Sequence, residues 1–190
     1  NEYGRKKGLL LENMGSKGKL NNYSKGKSIV SSIGFIEAKK FNKKFIHIRL
    51  FNVYGPGQKE NSLINKLYSC YHNGINPQLD PCDHYRDYIH ISDVVEGIKK
   101  ISYINKSEIV NLGGGKATKV KDFVTSFWRI IGGDPKFINF GVHSRSKKEP
   151  PQLFSYASLK KLHELTNWRP SISLDEGISQ TINSLNSSLK

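Results

Sequence analysis

Apolar positions recur along the chain with two periods, one typical of helices and one typical of strands. Over residues 22–41, apolar and small residues return every three or four positions, which predicts a helix that Asn22 caps. Residues 45–53 are apolar at alternate positions and predict a strand, and residues 54–57 predict a turn. The same patterns predict a further helix that Ser92 caps and that ends near residue 101. The other predicted helices are 62–73, 120–131, 155–165 and 174–185. The other predicted strands are 78–79, 85–91, 109–112 and 136–140.

The predicted strands and helices alternate along the chain, so α/β is the expected fold class. Residues 1–22 are rich in Gly, Asn and Lys and are expected to form a loop. The glycine run at 113–115 follows a predicted strand but lacks the GxGxxG spacing of a dinucleotide site. We therefore interpret it as a tight turn and not as a phosphate-binding loop.

Composition excludes several classes of protein. With 190 residues, 36% of them hydrophobic, the chain can bury a core without disulfides or metals. No window approaches the roughly 18 consecutive apolar residues that a membrane span needs, so no membrane partner is expected. Cys70 and Cys82 lie far apart, and the histidines have no ligand spacing, so we expect no metal site and a reducing, cytoplasmic location.

Positive charge is concentrated at the beginning of the chain. The net charge is +14, and residues 1–50 contribute +9 of it. A basic surface can bind a polyanion such as nucleic acid. The basic residues do not interleave with aromatic residues in a stacking pattern, so we favour solvated lysines on helix faces.

The pattern with the clearest chemical meaning is Tyr23 followed by Lys27 near the start of the first predicted helix. Residues four apart lie on one helix face, one turn from each other. A phenol is a poor acid or base at neutral pH, and a neighbouring ammonium favours its ionised form. Such a pair could pass a proton to or from a substrate hydroxyl or carbonyl. The alternative is an exposed tyrosine beside a solvated lysine.

Four further motifs follow in a fixed order, and together with Tyr23 and Lys27 they cover about residues 1–180. The motifs are RLFNVYGPGQ at 49–58, YRDYIHISD at 85–93, NLGGG at 111–115, and WRP at 168–170 with LDEG at 174–177. This sequence resembles the extended short-chain dehydrogenase/reductase family, in particular its nucleotide-sugar epimerases and dehydratases.

The resemblance implies a role for three residues at the reacting end of the site. Tyr23 would be the catalytic acid/base. Lys27 would bind the nicotinamide ribose of NAD or NADP and tune Tyr23. Phe51 would border the nicotinamide.

The resemblance also implies residues that bind the nucleotide-sugar substrate. Asn52 would donate a hydrogen bond near the diphosphate, and Gln78 and Leu79 would lie along the nucleotide base. Arg86 would pair with the diphosphate, whose oxygens match the fixed fork of a guanidinium. Arg145 would be a second phosphate ligand, although it lies one residue earlier than the family pattern places it.

Some of these residues have a purely structural alternative. Asn52 could satisfy turn backbone, and Arg86 could pair with Asp83 or Asp87. We expect Asp93 to cap or brace its helix and to take no part in the chemistry.

The resemblance also implies the architecture. Residues 1–54 would be the end of a Rossmann-like domain that carries the Tyr–Lys helix. Residues 55–190 would be mainly a small α/β nucleotide-sugar-binding domain, with some segments returning to the Rossmann sheet. The family's glycine-rich cofactor-binding start is absent from this sequence, so we interpret the chain as a C-terminal fragment that is inactive alone.

The full-length protein is expected to be an NAD(P)-dependent epimerase, dehydratase or 4-keto reductase that acts on a nucleotide-diphosphate sugar. A homodimer is among the expected assemblies, because related enzymes often dimerise through the helix that carries the tyrosine. The alternative function is an inactive remnant or a basic nucleic-acid-binding module.

Overall fold

The computed structural model describes residues 2–16, 18, 20–144 and 154–187 of the chain. In this part, short strands and helices alternate as the sequence predicts, which confirms the α/β class. The helices are α1 (Asn22–Lys40), α2 (Leu63–His72), α3 (Ile91–Ile101), α4 (Val120–Ile130), α5 (Lys160–Thr166) and α6 (Leu174–Ser187). The strands are β1 (Gly8–Leu10), β2 (Ile46–Leu50), β3 (Asn52–Tyr54), β4 (Gln78–Leu79), β5 (Tyr85–His90), β6 (Glu108–Leu112), β7 (Ala117–Lys119), β8 (Asn139–Phe140) and β9 (Ser155–Ala157).

The strands pair mostly in parallel. β2 pairs with β6, β3 with β5, β1 with β9 and β4 with β8, all in parallel, and β7 adds to β5 in the antiparallel sense. Parallel strands need a long crossover between them, which the helices supply. Since β6 lies beside β2, a segment beyond residue 54 returns to the strand that follows α1. The domain boundary at 54/55 stays a prediction.

Two clusters of buried side chains hold these elements together. One gathers around Phe123 and Phe127 of α4, with side chains from α2 and α6 against them. The other lies around Val110 and Leu112 of β6, between α3 and α5, with Trp168 against it. Strands β3 and β5 contribute to both clusters, Tyr54 and Tyr88 to the first and Val53 and Ile89 to the second.

Helix α1 packs through unusually small side chains. Its buried residues are Ser24, Ser31 and Ala38, which are spaced seven apart and therefore form one stripe. Gly34 leaves the space that the ring of Phe45 occupies. The isoleucines of α1 are more than half exposed, whereas Phe35 is half-buried against the Phe45 ring.

Both predicted helix caps are wrong by one or two residues. Asn21, not Asn22, caps α1, and its side-chain oxygen accepts a hydrogen bond from the Ser24 amide at 2.8 Å. His90, not Ser92, caps α3, and its ring nitrogen Nδ1 accepts from the Ser92 amide at 3.3 Å. A histidine is an unusual cap, and a preference for Ser, Thr, Asp and Asn does not predict it.

Three other element predictions are wrong in part. The helix predicted at 155–165 is strand β9 followed by the shorter α5. The strand predicted at 136–140 begins as a 3₁₀ turn, because the Asp134 side chain accepts a hydrogen bond from the Lys136 amide and only β8 is extended. The segment 1–22, expected to be a loop, contains strand β1. β7 was not predicted either.

In the described ranges, no helix is both long enough and apolar enough to cross a membrane. Nor do the described residues bring together three or more His, Cys, Asp or Glu side chains in a group that could hold a metal ion.

Candidate active site

A cavity of about 800 Å³ opens beside the first turns of α1 and the junction between β2 and β3. We call it the central cavity. Five of the predicted site residues line it: Tyr23, Lys27, Phe51, Asn52 and Arg86. They come from three separate parts of the chain. The fold brings these distant residues together around one cavity.

Tyr23 and Lys27 lie on the same face of α1, as their spacing predicts. The Lys27 ammonium nitrogen is 5.6 Å from the centre of the Tyr23 ring. Tyr23 is 67% exposed and lines the cavity, so a molecule that enters the cavity can reach this residue. The cap at Asn21 fixes where the helix begins and thereby which turn carries the tyrosine.

Phe51 and Asn52 mark the point where the chain passes from β2 to β3. The Phe51 amide donates to the Leu112 carbonyl at 2.9 Å, which anchors this junction to β6. The Asn52 side-chain nitrogen donates to the Asp87 carbonyl at 3.3 Å. The side chain therefore bonds to backbone, but the acceptor belongs to β5 and not to the turn that the structural alternative for Asn52 names. An amide NH₂ carries two hydrogens, so one bond to the backbone leaves a second donor for a ligand.

Arg86 lies on β5 and bonds to its own neighbour, with Nη1 donating to the Tyr85 carbonyl at 3.0 Å. It forms no ion pair with any other residue of the described ranges, so the predicted alternative of a pair with Asp83 or Asp87 is wrong. Neither the Asp83 nor the Asp87 carboxylate therefore compensates the charge of the Arg86 guanidinium through an ion pair.

The cavity wall contains a second arginine whose charge is already compensated. Arg49 Nε lies 3.2 Å from the Glu2 carboxylate, and His47 Nε2 lies 2.8 Å from the same carboxylate. The Arg49 guanidinium also stacks over the Tyr3 ring at 4.7 Å. These four residues were not predicted as site residues. His47 and Arg49 are two residues apart in β2, so the sequence pattern places them on one face of the strand. Their partner Glu2 is distant along the chain, and no local pattern indicates that it joins them.

The glycine run at 113–115 bends the chain after β6 and wraps around Asp87. The carboxylate of Asp87 accepts hydrogen bonds from the amides of Gly114 at 2.6 Å and Gly115 at 3.2 Å, and from that of Ala157 at 2.8 Å. Burial raises the pKa of Asp87 to about 6, while these three amides act in the opposite direction. The amides of Gly114 and Gly115 are thus committed to a side chain, which agrees with a turn and not with a phosphate loop.

Asp93 braces its helix, as expected. Its carboxylate accepts from the amide and hydroxyl of Ser171 at 3.0 and 3.2 Å and from the Ile172 amide at 3.1 Å. The side chain is buried and does not line the central cavity.

Two further predicted site residues, Gln78 and Leu79, are described by the structure but lie away from the cavity wall. They form β4, which pairs with β8. Arg145 lies outside the described residues. The individual roles of all eight predicted site residues stay predictions.

Comparison with known proteins identifies the family. Residues 3–181 match the family described as GDP-mannose 4,6 dehydratase. The chain therefore belongs to this family of nucleotide-sugar epimerases and dehydratases, which confirms the resemblance to the extended short-chain dehydrogenases.

One relative is the UDP-glucuronate 4-epimerase of Thermodesulfobacterium geofontis (strain OPF15). It is 31% identical over 144 residues, which is 72% of this chain and 41% of the relative.

Solved structures share the fold. The UDP-glucuronic acid 4-epimerase of Bacillus cereus, in complex with UDP-glucuronic acid and NAD, superposes with a TM-score of 0.83 at 20% identity. That alignment covers 98% of this chain and 59% of the epimerase. RMD from Pseudomonas aeruginosa, complexed with NADPH, gives a TM-score of 0.79 at 18% identity and covers 94% of this chain and 60% of that protein. This chain thus spans about 40 to 60% of the length of these proteins.

Proposed function

We propose that this chain is the substrate-binding and proton-transferring part of an NAD(P)-dependent enzyme that acts on a nucleotide-diphosphate sugar as an epimerase, dehydratase or 4-keto reductase. The observation that carries the proposal is the central cavity, where Tyr23, Lys27, Asn52 and Arg86 meet. Relatives that carry out such reactions on UDP-linked and CDP-linked sugars support the substrate class.

Charge in the cavity favours a diphosphate. The Glu2 carboxylate compensates Arg49, whereas Lys27 and Arg86 form no ion pair within the described ranges and both line the cavity. The Arg86 guanidinium can hold the oxygens of a diphosphate in bidentate fashion, while Lys27 is left for Tyr23 and the cofactor ribose. Asn52 has one further hydrogen to donate beside the diphosphate.

The proposed chemistry begins with a proton transfer at Tyr23. In the ionised form that the Lys27 ammonium one turn away would stabilise, the phenolate oxygen of Tyr23 would take the proton of a sugar hydroxyl and become a neutral phenol. A bound nicotinamide dinucleotide would supply the hydride acceptor. Lys27 and Phe51 fit its nicotinamide riboside end, because a cation that can bond ribose hydroxyls and an aromatic ring both line the cavity.

A homodimer through α1 is part of the proposal. Ile29, Ile33 and Ile36 of this helix are more than half exposed, and a second copy would remove them from water.

Binding of nucleoside diphosphates to the chain tests the substrate proposal. We expect at least one of UDP, CDP, GDP and dTDP to bind, and Arg86→Met to weaken binding about tenfold or more, because a charge-assisted hydrogen bond contributes about 1.5–3 kcal/mol. Isothermal titration calorimetry measures both affinities.

The matched control for that test is Arg129→Met. Arg129 is an exposed arginine on α4 that pairs with Asp175 and does not line the cavity. Equal losses in the two variants, or no binding by the unaltered chain, would contradict the substrate proposal.

A further inference from the structure

Asp87 is the most buried carboxylate in the described part of the chain, with 1% of the residue exposed, and it contacts the wall of the central cavity. It lies on β5 directly after Arg86. No lysine or arginine of the described ranges pairs with it, and among the described residues its carboxylate oxygens bond only to the amides of Gly114, Gly115 and Ala157. Burying a carboxylate without a neighbouring cation costs desolvation free energy. The burial of Asp87 therefore calls for a structural or functional explanation.

The surroundings of Asp87 leave no room for other side chains. A Cβ atom at position 113 would lie 2.9 Å from the Asp87 carboxylate, and one at position 114 would lie 3.1 Å from it and also collide with the Tyr88 carbonyl. At position 115 the backbone φ is +73°, which glycine adopts readily. The NLGGG motif and the YRDYIHISD motif therefore contact each other at the Asp87 carboxylate.

Three segments meet at this carboxylate. Asp87 itself belongs to β5, the glycine amides belong to the turn between β6 and β7, and Ala157 belongs to β9. The main chain of Asp87 makes a fourth connection, because its carbonyl accepts the hydrogen bond from the Asn52 side chain. The two residues proposed to bind the diphosphate, Arg86 and Asn52, are thus the chain neighbour and the hydrogen-bond partner of Asp87.

We propose that Asp87 is a positioning residue for diphosphate recognition, whose carboxylate fixes β5 against the glycine turn and β9 so that Arg86 and Asn52 face the central cavity. The inference rests on the proposed function. Arg86 bonds to no described residue except the adjacent Tyr85 carbonyl, so its location depends on where β5 lies.

Asp87→Asn tests this role with minimal change of shape. An amide has one acceptor oxygen, so either the Gly114 amide or the amides of Gly115 and Ala157 lose their acceptor and face an NH₂ group. We expect the turn to separate from β5 and Arg86 to lose its fixed position. The affinity for a nucleoside diphosphate should then fall about tenfold or more, while the affinity for the corresponding nucleoside stays within about twofold.

Asp93→Asn is the matched control. Asp93 is a second buried carboxylate that accepts three hydrogen bonds from a distant segment, but it lies away from the cavity. If buried carboxylates merely stabilise the fold, both variants should affect diphosphate binding alike. We expect a loss only in Asp87→Asn.

A double-mutant cycle separates positioning from a direct effect. If Asp87 acts through Arg86, then Asp87→Asn should have much less effect on diphosphate affinity in the Arg86→Met background than in the unaltered chain. Titration calorimetry with UDP, CDP, GDP and dTDP, each beside its nucleoside, gives all the affinities, and circular dichroism verifies that each variant is folded. Should Asp87→Asn not fold, Asp87→Glu keeps the charge but displaces the carboxylate by one methylene, and it is expected to show the same selective loss.

Three results would overturn the inference while the proposed function stands: normal diphosphate affinity in the Asp87 variant, an equal loss in Asp93→Asn, or an equal loss in both Arg86 backgrounds. Failure of the unaltered chain to bind any of the four nucleoside diphosphates would overturn the proposed function and this inference together.

Discussion

Burial shifts the pKa values of two residues of β5 in opposite directions. Desolvation raises the pKa of Asp87 to about 6 and lowers the pKa of His90, because in each case it disfavours the charged form. His90 has a structural role that depends on its neutral form. Its Nδ1 accepts the hydrogen bond from the Ser92 amide that caps α3, and a protonated ring could only donate there.

We therefore expect acid to weaken the contribution of His90 to stability. Because its pKa is lower in the folded state, this contribution is fully present above the ordinary pKa of histidine, about 6.5, and is lost as the pH falls through the folded value. Asp87 acts in the opposite direction, since its raised pKa favours the folded state as the pH falls through about 6.

Comparison with His90→Asn isolates the histidine, because Asp87 is present in both proteins. Asparagine keeps a cap acceptor and does not titrate. Urea unfolding between about pH 7.5 and pH 5 should show the free energy of unfolding of the unaltered chain falling relative to that of the variant. A difference that stays constant over this range would show that protonation of His90 does not weaken the cap.

At the residue scale, a contact can be predicted from the sequence when its two residues are close together along the chain. Tyr23 and Lys27 are four apart, so helix geometry alone places them on one face, as observed. The contact between Glu2 and His47 joins residues that are far apart in sequence and depends on how the whole chain folds. Local patterns contain no information about such pairs.

The glycine turn between β6 and β7 has no space for a side chain at its centre. A side chain at position 114 collides with the backbone of β5, and the neighbouring atoms belong to the buried Asp87. We expect Gly114→Ala to lower the free energy of unfolding by about 1–3 kcal/mol or more, as measured by urea denaturation.

Gly26→Ala is the control for this prediction. Gly26 lies within α1 with no atom near the position of an added Cβ, and alanine favours a helix by about 1 kcal/mol over glycine. This variant should be slightly stabilised. A Gly114→Ala protein as stable as the unaltered chain would contradict the close approach of the turn to β5.

The outward face of α1 leads to a prediction about assembly. If a second copy covers this face, Ile33→Glu should convert a dimer into a monomer, because a charge would be buried without a partner. Ile75→Glu changes an exposed isoleucine beyond α2 and should leave the assembly unchanged. Analytical ultracentrifugation distinguishes the two, and a monomeric unaltered chain would contradict the proposed dimer.

At the element scale, helices with a clear apolar period were predicted nearly to the residue, as in α4 and α6. The bounds of α1 were predicted as closely, although its buried stripe consists of small residues. The strands that the sequence pattern did not predict are β1, β7 and β9, each of three residues. A strand this short has no period of its own, and its extended form depends on the partner strand. For β1 that partner is β9, near the other end of the chain.

At the scale of the whole molecule, charge and shape point to a small anionic ligand. The excess of +9 over residues 1–50 includes Lys27, which lines the central cavity, and Arg49, whose charge Glu2 compensates. The basic residues form no stacking pattern with aromatic residues in the sequence. Binding of nucleic acid should therefore be weak and should vanish as salt is raised.

The central claim is that Tyr23 transfers the proton while a hydride passes to or from the cofactor, and turnover in the full-length protein tests it most directly. The variant Tyr23→Phe removes only the hydroxyl, and Tyr103→Phe does the same at an exposed tyrosine that does not line the cavity.

We expect Tyr23→Phe to lower the rate of hydride transfer, followed by the absorbance of the reduced nicotinamide, by about 10²–10⁴-fold, because that is the usual contribution of a positioned acid or base. The affinity for the nucleotide sugar should be nearly unchanged, and Tyr103→Phe should be fully active. Turnover in Tyr23→Phe close to that of the unaltered enzyme would remove Tyr23 from the mechanism and contradict the account.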